Sequence, residues 1–231
     1  MPDYSVTFLI DAKDLEAIKG AQQRITLAKT VNGDNNANVI WLSIDPFPTT
    51  EVGWDEAYGI YASASGVVDG TTITKMSETG GTAQDRAYYT FTSAAAFNGP
   101  YSGNGVPAGS YGVQNDMPYT SYASLTFGLT QDALVNGQKA LAKPVSATVA
   151  LATQFVQMSP SPTLYVWLQA QFVSGTVIKV SGKSTKVTLG AGVTSTTLKY
   201  DPSLGLFVAA SPQKMLVSGR PTVELFHGAA A

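Results

Sequence analysis

The chain has 231 residues and a formal net charge of −2, and only 13% of it is Asp, Glu, Lys or Arg, about half the usual share. Scattered basic residues leave no electrostatic footprint for nucleic acid or for an anionic membrane surface. The absence of cysteine excludes disulfides, thiolate metal sites and cysteine nucleophiles.

Polarity comes instead from Ser, Thr, Asn, Gln and Gly, the residues that sandwich strands and their turns accept. Tyr4, Val6, Phe8 and Ile10 alternate with polar residues and predict a strand. Residues 11–20, DAKDLEAIKG, predict one short helix, with Asp11 or Asp14 to cap its start and Gly20 to close it. A strand through Ile25, Leu27 and Val31 follows, then a turn over Asn32 to Asn36. Residues 1–20 do not read as a secretory signal, and no window reaches the roughly 20 apolar residues of a spanning helix. The expectation is a cytoplasmic protein with no transmembrane segment.

Asn38 to Tyr61 is the richest stretch. Val39 to Ile44 is nearly all apolar, as in a strand buried on both faces, and Asp45-Pro46-Phe47-Pro48 ends it. From Val52 the apolar pattern resumes through Trp54, Tyr58, Ile60 and Tyr61, with Asp55 and Glu56 between the aromatics. Such a pattern suits a core, and it also suits a sugar, which needs a ring for its C–H face and acceptors for its hydroxyls.

Thr71 to Met76 and Tyr88 to Phe91 read as strands, separated by a turn at Thr79 to Thr82. Residues 97–122 have no period and are crowded with Gly, Pro, Asn, Ser and Tyr, the composition of a binding loop. Tyr101, Tyr111, Tyr119 and Tyr122 would close this loop over a ligand, with Asn115 and Asp116 beside them. Further strands are expected at 124–129 and 145–158, with an Asn136-Gly137 hairpin turn between and a break at Ser159 to Pro162. Leu164 to Phe172 is a second tryptophan strand, and short strands follow at 176–180, 186–189, 196–200, 206–210 and 223–226.

Val39-Ile40-Trp41-Leu42 can be set against Tyr165-Val166-Trp167-Leu168 as a weak internal repeat. Trp54, Asp55, Glu56 and Tyr58 have no counterpart in the second copy, which points to the first copy as the place of function.

Enzyme chemistry finds little support. His227 is the only histidine and no GxSxG elbow occurs. Gly103, Gly105 and Gly109 have the wrong spacing for a dinucleotide or phosphate loop. Glu51, Asp55 and Glu56, with Asp116 more distant, are carboxylates of the kind a glycosidase uses. Asp34, Asn35 and Asn36 could offer oxygens to calcium, but the loop reads as a plain turn; neither metal nor cofactor is expected.

The sequence therefore predicts an all-β, mostly antiparallel two-sheet β-sandwich of about a dozen strands with one short N-terminal helix. It would be a single domain over 1–231, or alternatively two related lobes, 1–142 and 143–231. The leading functional expectation is a non-enzymatic, lectin-like protein that binds glycans or membrane headgroups, with a defence or cytolytic role as a variant. Its ligand residues would be Trp54, Asp55, Glu56, Tyr58, Tyr61, Tyr101, Tyr111, Asn115, Asp116 and Tyr119. The alternatives are a structural, self-assembling homo-oligomer and, third, a carboxylate-based glycoside hydrolase.

Overall fold

The structure is a computed structural model that describes residues 3–33, 37–179, 183–210 and 222–226. The calcium candidates Asp34 to Asn36, the lone His227 and Val180 lie outside these residues. In chain order the elements are β1 (Tyr4–Leu9), α1 (Ala12–Gly20), β2 (Arg24–Val31), β3 (Leu42–Ile44), β4 (Thr49–Trp54), β5 (Tyr58–Ser63) and β6 (Lys75–Glu78). There follow β7 (Ala87–Phe91), β8 (Phe97–Ser102), β9 (Tyr111–Asn115), β10 (Ser124–Val135), β11 (Gln138–Pro144), β12 (Thr148–Leu151) and β13 (Phe155–Met158). The last are β14 (Pro160–Gln169), β15 (Ser184–Thr188), β16 (Ser195–Asp201), β17 (Leu206–Ala209) and β18 (Thr222–Phe226).

The strands form an all-β sandwich in which three hydrogen-bonded sheets share one apolar core. A nine-stranded sheet runs β17-β16-β1-β4-β10-β5-β6, with β11 and β12 on the other edge of β10. A five-stranded sheet runs β18-β15-β14-β2-β3, and a four-stranded one β13-β9-β7-β8. Pairing is antiparallel except at β1–β16 and β7–β9. Phe8, Val52 and Leu129 of the first sheet, Leu27 and Val166 of the second and Phe91 and Val113 of the third meet in the core.

Strand parity explains the burial. In β2, Ile25, Leu27 and Val31 face this core while Ala28 points the other way into a smaller cluster with Ala37, Ile40, Tyr165 and Ile178. With both faces covered, β2 is buried from Ile25 onward. The two tryptophan segments flank β2 in one sheet, β3 on one side and β14 on the other. Trp41 joins the main core, whereas Trp167 packs on the outer cluster.

Several expected elements differ. The stretch 97–122 is not one long loop: it contains β8 and β9, both paired with β7. Gly112 hides this strand in the sequence, yet a Cβ there would lie 2.5 Å from the Phe155 ring and 2.7 Å from Tyr88 Cβ, so the close approach requires glycine. The strand expected over 145–158 is two, β12 and β13, which belong to different sheets and turn at Thr153 with φ 69°. Residues 176–177 make only isolated bridges, to Thr72 and Val39, although this segment bonds to neighbours on both sides. Ser159 to Pro162 does not end the chain's strand structure; β14 begins at Pro160 and absorbs the prolines through a shift in register before Leu164. At α1, Asp11 makes no side-chain cap and its carboxylate instead meets Lys199 at 2.8 Å. Gly20 is the last helical residue, and the positive φ that follows the helix falls on Gln22.

Candidate functional site

The stretch from Trp54 to Tyr58 folds around a buried cation. Lys29 sits on the core-facing parity of β2 and is fully enclosed. Its ammonium donates to Glu56 Oε1 at 2.8 Å, Gln131 Oε1 at 2.9 Å and the Tyr58 hydroxyl at 3.1 Å, which uses all three N–H groups. The rings of Trp41, Trp54 and Tyr58 surround it with centroids 5.3, 5.1 and 5.3 Å away. Trp54 Nε1 and the Tyr58 hydroxyl donate to Glu56 in turn, so the carboxylate accepts three hydrogen bonds within the cluster.

Burial pushes the Lys29 ammonium down to about 8, and the neighbouring Glu56 keeps it from falling further. Burial also pushes the Glu56 carboxyl up, but Lys29 and the donors Tyr58 and Trp54 outweigh this and leave it below its ordinary value. Burial and the adjacent Glu56 charge raise the Tyr58 phenol, which keeps it neutral. With Lys29, Trp54 and Tyr58 buried and their donors committed, the cluster offers a ligand no ring face, only the partly exposed edge of Glu56, and it acts as a frame.

That frame bends the sheet. Gly53 opposes Leu134 and Tyr58 opposes Gln131, so residues 54–57 bulge out against two residues of β10. On the other edge of β10, Ala140 opposes Ala133 and Lys143 opposes Gln131, leaving an extra residue at Ala142 with φ 47°. Gln131 Nε2 pins the first bulge through Asp55 O at 2.8 Å, and Asp132 Oδ1 pins the second by accepting from Ala142 N at 2.7 Å. Between the bulges lies a groove of about 590 Å³ whose wall includes Asp55, Glu78, Thr82, Asp132, Lys139 and Leu141. It is acidic and lacks an exposed aromatic ring, since Trp54 is only 2% exposed.

A second groove, of about 470 Å³, lies on the outer face of the five-stranded sheet. Trp167 and Phe172 line it, each partly exposed and backed by the cluster of Ala28, Ile40, Tyr165 and Ile178. Gln169 fixes the turn that carries Phe172: its amide donates to Phe172 O and accepts from the N–H groups of Gln171 and Phe172. Asp69, Lys179 and Lys183 are exposed at the same groove. Ser184, at the head of β15, lines it as well, and its Oγ is buried with no hydrogen-bond partner.

The structure thus separates the residues singled out in the sequence. Trp54, Glu56 and Tyr58 come together around Lys29, with the Tyr111 ring 5.8 Å from that of Tyr58 and buried beside it. Asp55 is exposed on the acidic groove. Tyr61 is sealed elsewhere and donates to Ser146 O at 2.6 Å. Asn115 is buried and committed to the backbone of Ala150, Leu151 and Met117. Tyr101, Asp116 and Tyr119 are at the surface, away from both groove linings.

Two residues escaped the sequence reading. Lys29 carried a signal, a lone lysine in phase with Ile25, Leu27 and Val31. Trp167 carried one too, since Leu164 and Val166 alternate with it and face the core. Comparison of the chain with family models, with curated proteins and with solved structures finds no match.

Proposed function

We propose that the chain is a non-enzymatic glycan-binding protein whose ligand rests on Trp167. The observation that carries this reading is that Trp167, alone of the three tryptophans, keeps ring surface open, and does so in a groove with Phe172 and several hydrogen-bonding side chains. Indole offers a flat apolar face to the C–H side of a pyranose, and the apolar cluster behind it keeps that face in place before the ligand arrives. Binding is favoured over hydrolysis because, among the described residues, this groove has one carboxylate, Asp69, where cleavage of a glycosidic bond uses two. The expectation of a glycan ligand is kept, and its place moves from the Trp54 stretch to the outer face of β14.

Trp41 and Trp54 are 0% and 2% exposed, so a ligand-dependent change in tryptophan emission reports Trp167. Titration with a panel of monosaccharides and oligosaccharides to about 10 mM registers even an affinity of about 4 kcal/mol. A saturable change, weakened about tenfold or more by Trp167→Ala, is the expected result. A flat response across the panel removes the reading, and binding to liposomes without any saccharide response replaces it with headgroup recognition.

A second placement has its own observation: the acidic groove beside Asp132, with carboxylates ready to accept from sugar hydroxyls. Asp132→Asn keeps the acceptor for Ala142 N and tests it. Saccharide binding lost in that variant and kept in Trp167→Ala moves the ligand there.

A further inference from the structure

We infer that the saccharide unit seated on Trp167 is anionic, a sugar acid of the uronic type; this rests on the glycan-binding reading above. Two ammonium groups, Lys179 and Lys183, stand exposed at the groove, and neither has an ion-pair partner among the described residues. Asp69 is the only carboxylate among the described residues that line it, and one of its oxygens accepts from the backbone N–H of Lys179 at 3.1 Å. The groove is therefore net positive on a chain whose formal charge is −2.

The contrast with the other groove sharpens the inference. Asp55, Glu78 and Asp132 line the acidic groove against Lys139 and the Lys75 that pairs with Glu78, which leaves it net negative, so an anionic ligand is disfavoured there and drawn to the Trp167 side. Ser184 adds a further point of contact that charge does not explain. Its hydroxyl is buried in a residue only 1% exposed, the residue belongs to the groove wall, and the hydroxyl has no hydrogen-bond partner among the described residues. A hydroxyl in that condition favours a polar ligand atom that reaches it.

The shape of a uronic acid suits these parts. Its ring carbons present a C–H face for the indole, and its equatorial carboxylate lies near the mean plane of the ring. Stacking on Trp167 therefore directs the charge past the edge of the indole, within the groove that Lys179 and Lys183 also line, while ring hydroxyls remain for Ser184 and Gln171.

The test compares each neutral hexose of the gluco, galacto and manno series with its own uronate, read by Trp167 fluorescence on the full chain. Sodium acetate and inorganic phosphate serve as anion controls. A uronate that binds at least about tenfold tighter than its hexose supports the inference, provided the advantage shrinks at about 1 M salt, where screening acts within about 3 Å. Lys179→Gln with Lys183→Gln is expected to abolish that advantage while hexose binding stays. Equal affinity for hexose and uronate overturns the charge inference and leaves the glycan reading standing. No response to any saccharide overturns both. A response to acetate or phosphate that equals the uronate response shows an anion site without sugar recognition and also overturns the inference.

Discussion

A lysine fully enclosed by three rings would ordinarily be a liability, because a buried charge without partners costs far more than a hydrogen bond returns. Lys29 is tolerated because Glu56 supplies the counter-charge and Tyr58 and Gln131 take the remaining protons. Lys29→Met removes the counter-charge and leaves the partly buried Glu56 carboxylate with Trp54 and Tyr58 alone, and it is expected to lower stability by about 3 kcal/mol in urea unfolding. The double change Lys29→Met with Glu56→Gln is expected to recover much of that loss. Acid and base act on the pair with opposite signs. The folded Glu56 releases its proton more readily than the ordinary carboxyl at 4.5, so its stabilisation is present above that pH and lost as pH falls through the folded value. Lys29 gives up its proton near 8 when folded and near 10.5 when unfolded, so between these values the unfolded chain binds more protons and the contribution of Lys29 to stability rises with pH. Urea midpoints measured from pH 7 to 10.5 should show this upward component in the parent chain and lack it in Lys29→Met.

At the scale of the element, strand β10 determines where a groove can open. It carries neighbours on both edges, and extra residues on each edge coincide beside Asp132. Tight packing elsewhere along β10 keeps that opening local. A Cβ at Gly128 would lie 1.9 Å from Ser146 O and 2.5 Å from the Tyr61 ring, in a place where neither backbone nor ring can retreat. Gly128→Ala is therefore expected to destabilise by more than about 3 kcal/mol, within the range of severe core overpacking, and thermal denaturation checks it. The elements that were legible in the sequence are those with a local signature. The alternation of Tyr4, Val6 and Phe8 gives β1, and Asn136-Gly137 gives the β10–β11 turn, where both residues take positive φ. What could not be read depends on distant partners. Gly112 is glycine because Phe155 crosses it, and β12 and β13 divide because one joins β10 and the other β9. The burial of Trp54 and Tyr58 was equally illegible, since it depends on a lysine that lies 25 to 29 positions earlier in the chain.

Across the whole molecule, strands from the two ends of the chain lie side by side in the same sheets. In the nine-stranded sheet β1 and β4 lie beside β16 and β17, and in the five-stranded sheet β2 and β3 lie beside β14 and β15. A chain divided at residue 142 would leave each fragment with open sheet edges and half of the shared core. Fragments 1–142 and 143–231 made separately are expected to show neither cooperative unfolding nor slow amide exchange; a fragment that does both would show that it carries a self-sufficient core. Two grooves of opposite charge on one such body give it a polarity for ligands that its net charge of −2 conceals.

The parallel register of β1 has a consequence for how the molecule is made. Tyr4 meets Trp54 on one edge, a contact available early in synthesis, but the other edge of the strand waits for Ser195, which pairs with Ser5. At the usual pace of translation, about 5–20 residues per second, the nascent chain carries an unpaired strand edge for on the order of ten seconds. Yield in the cell should accordingly depend on what shields that edge, and slowing translation should favour aggregates over the folded protein.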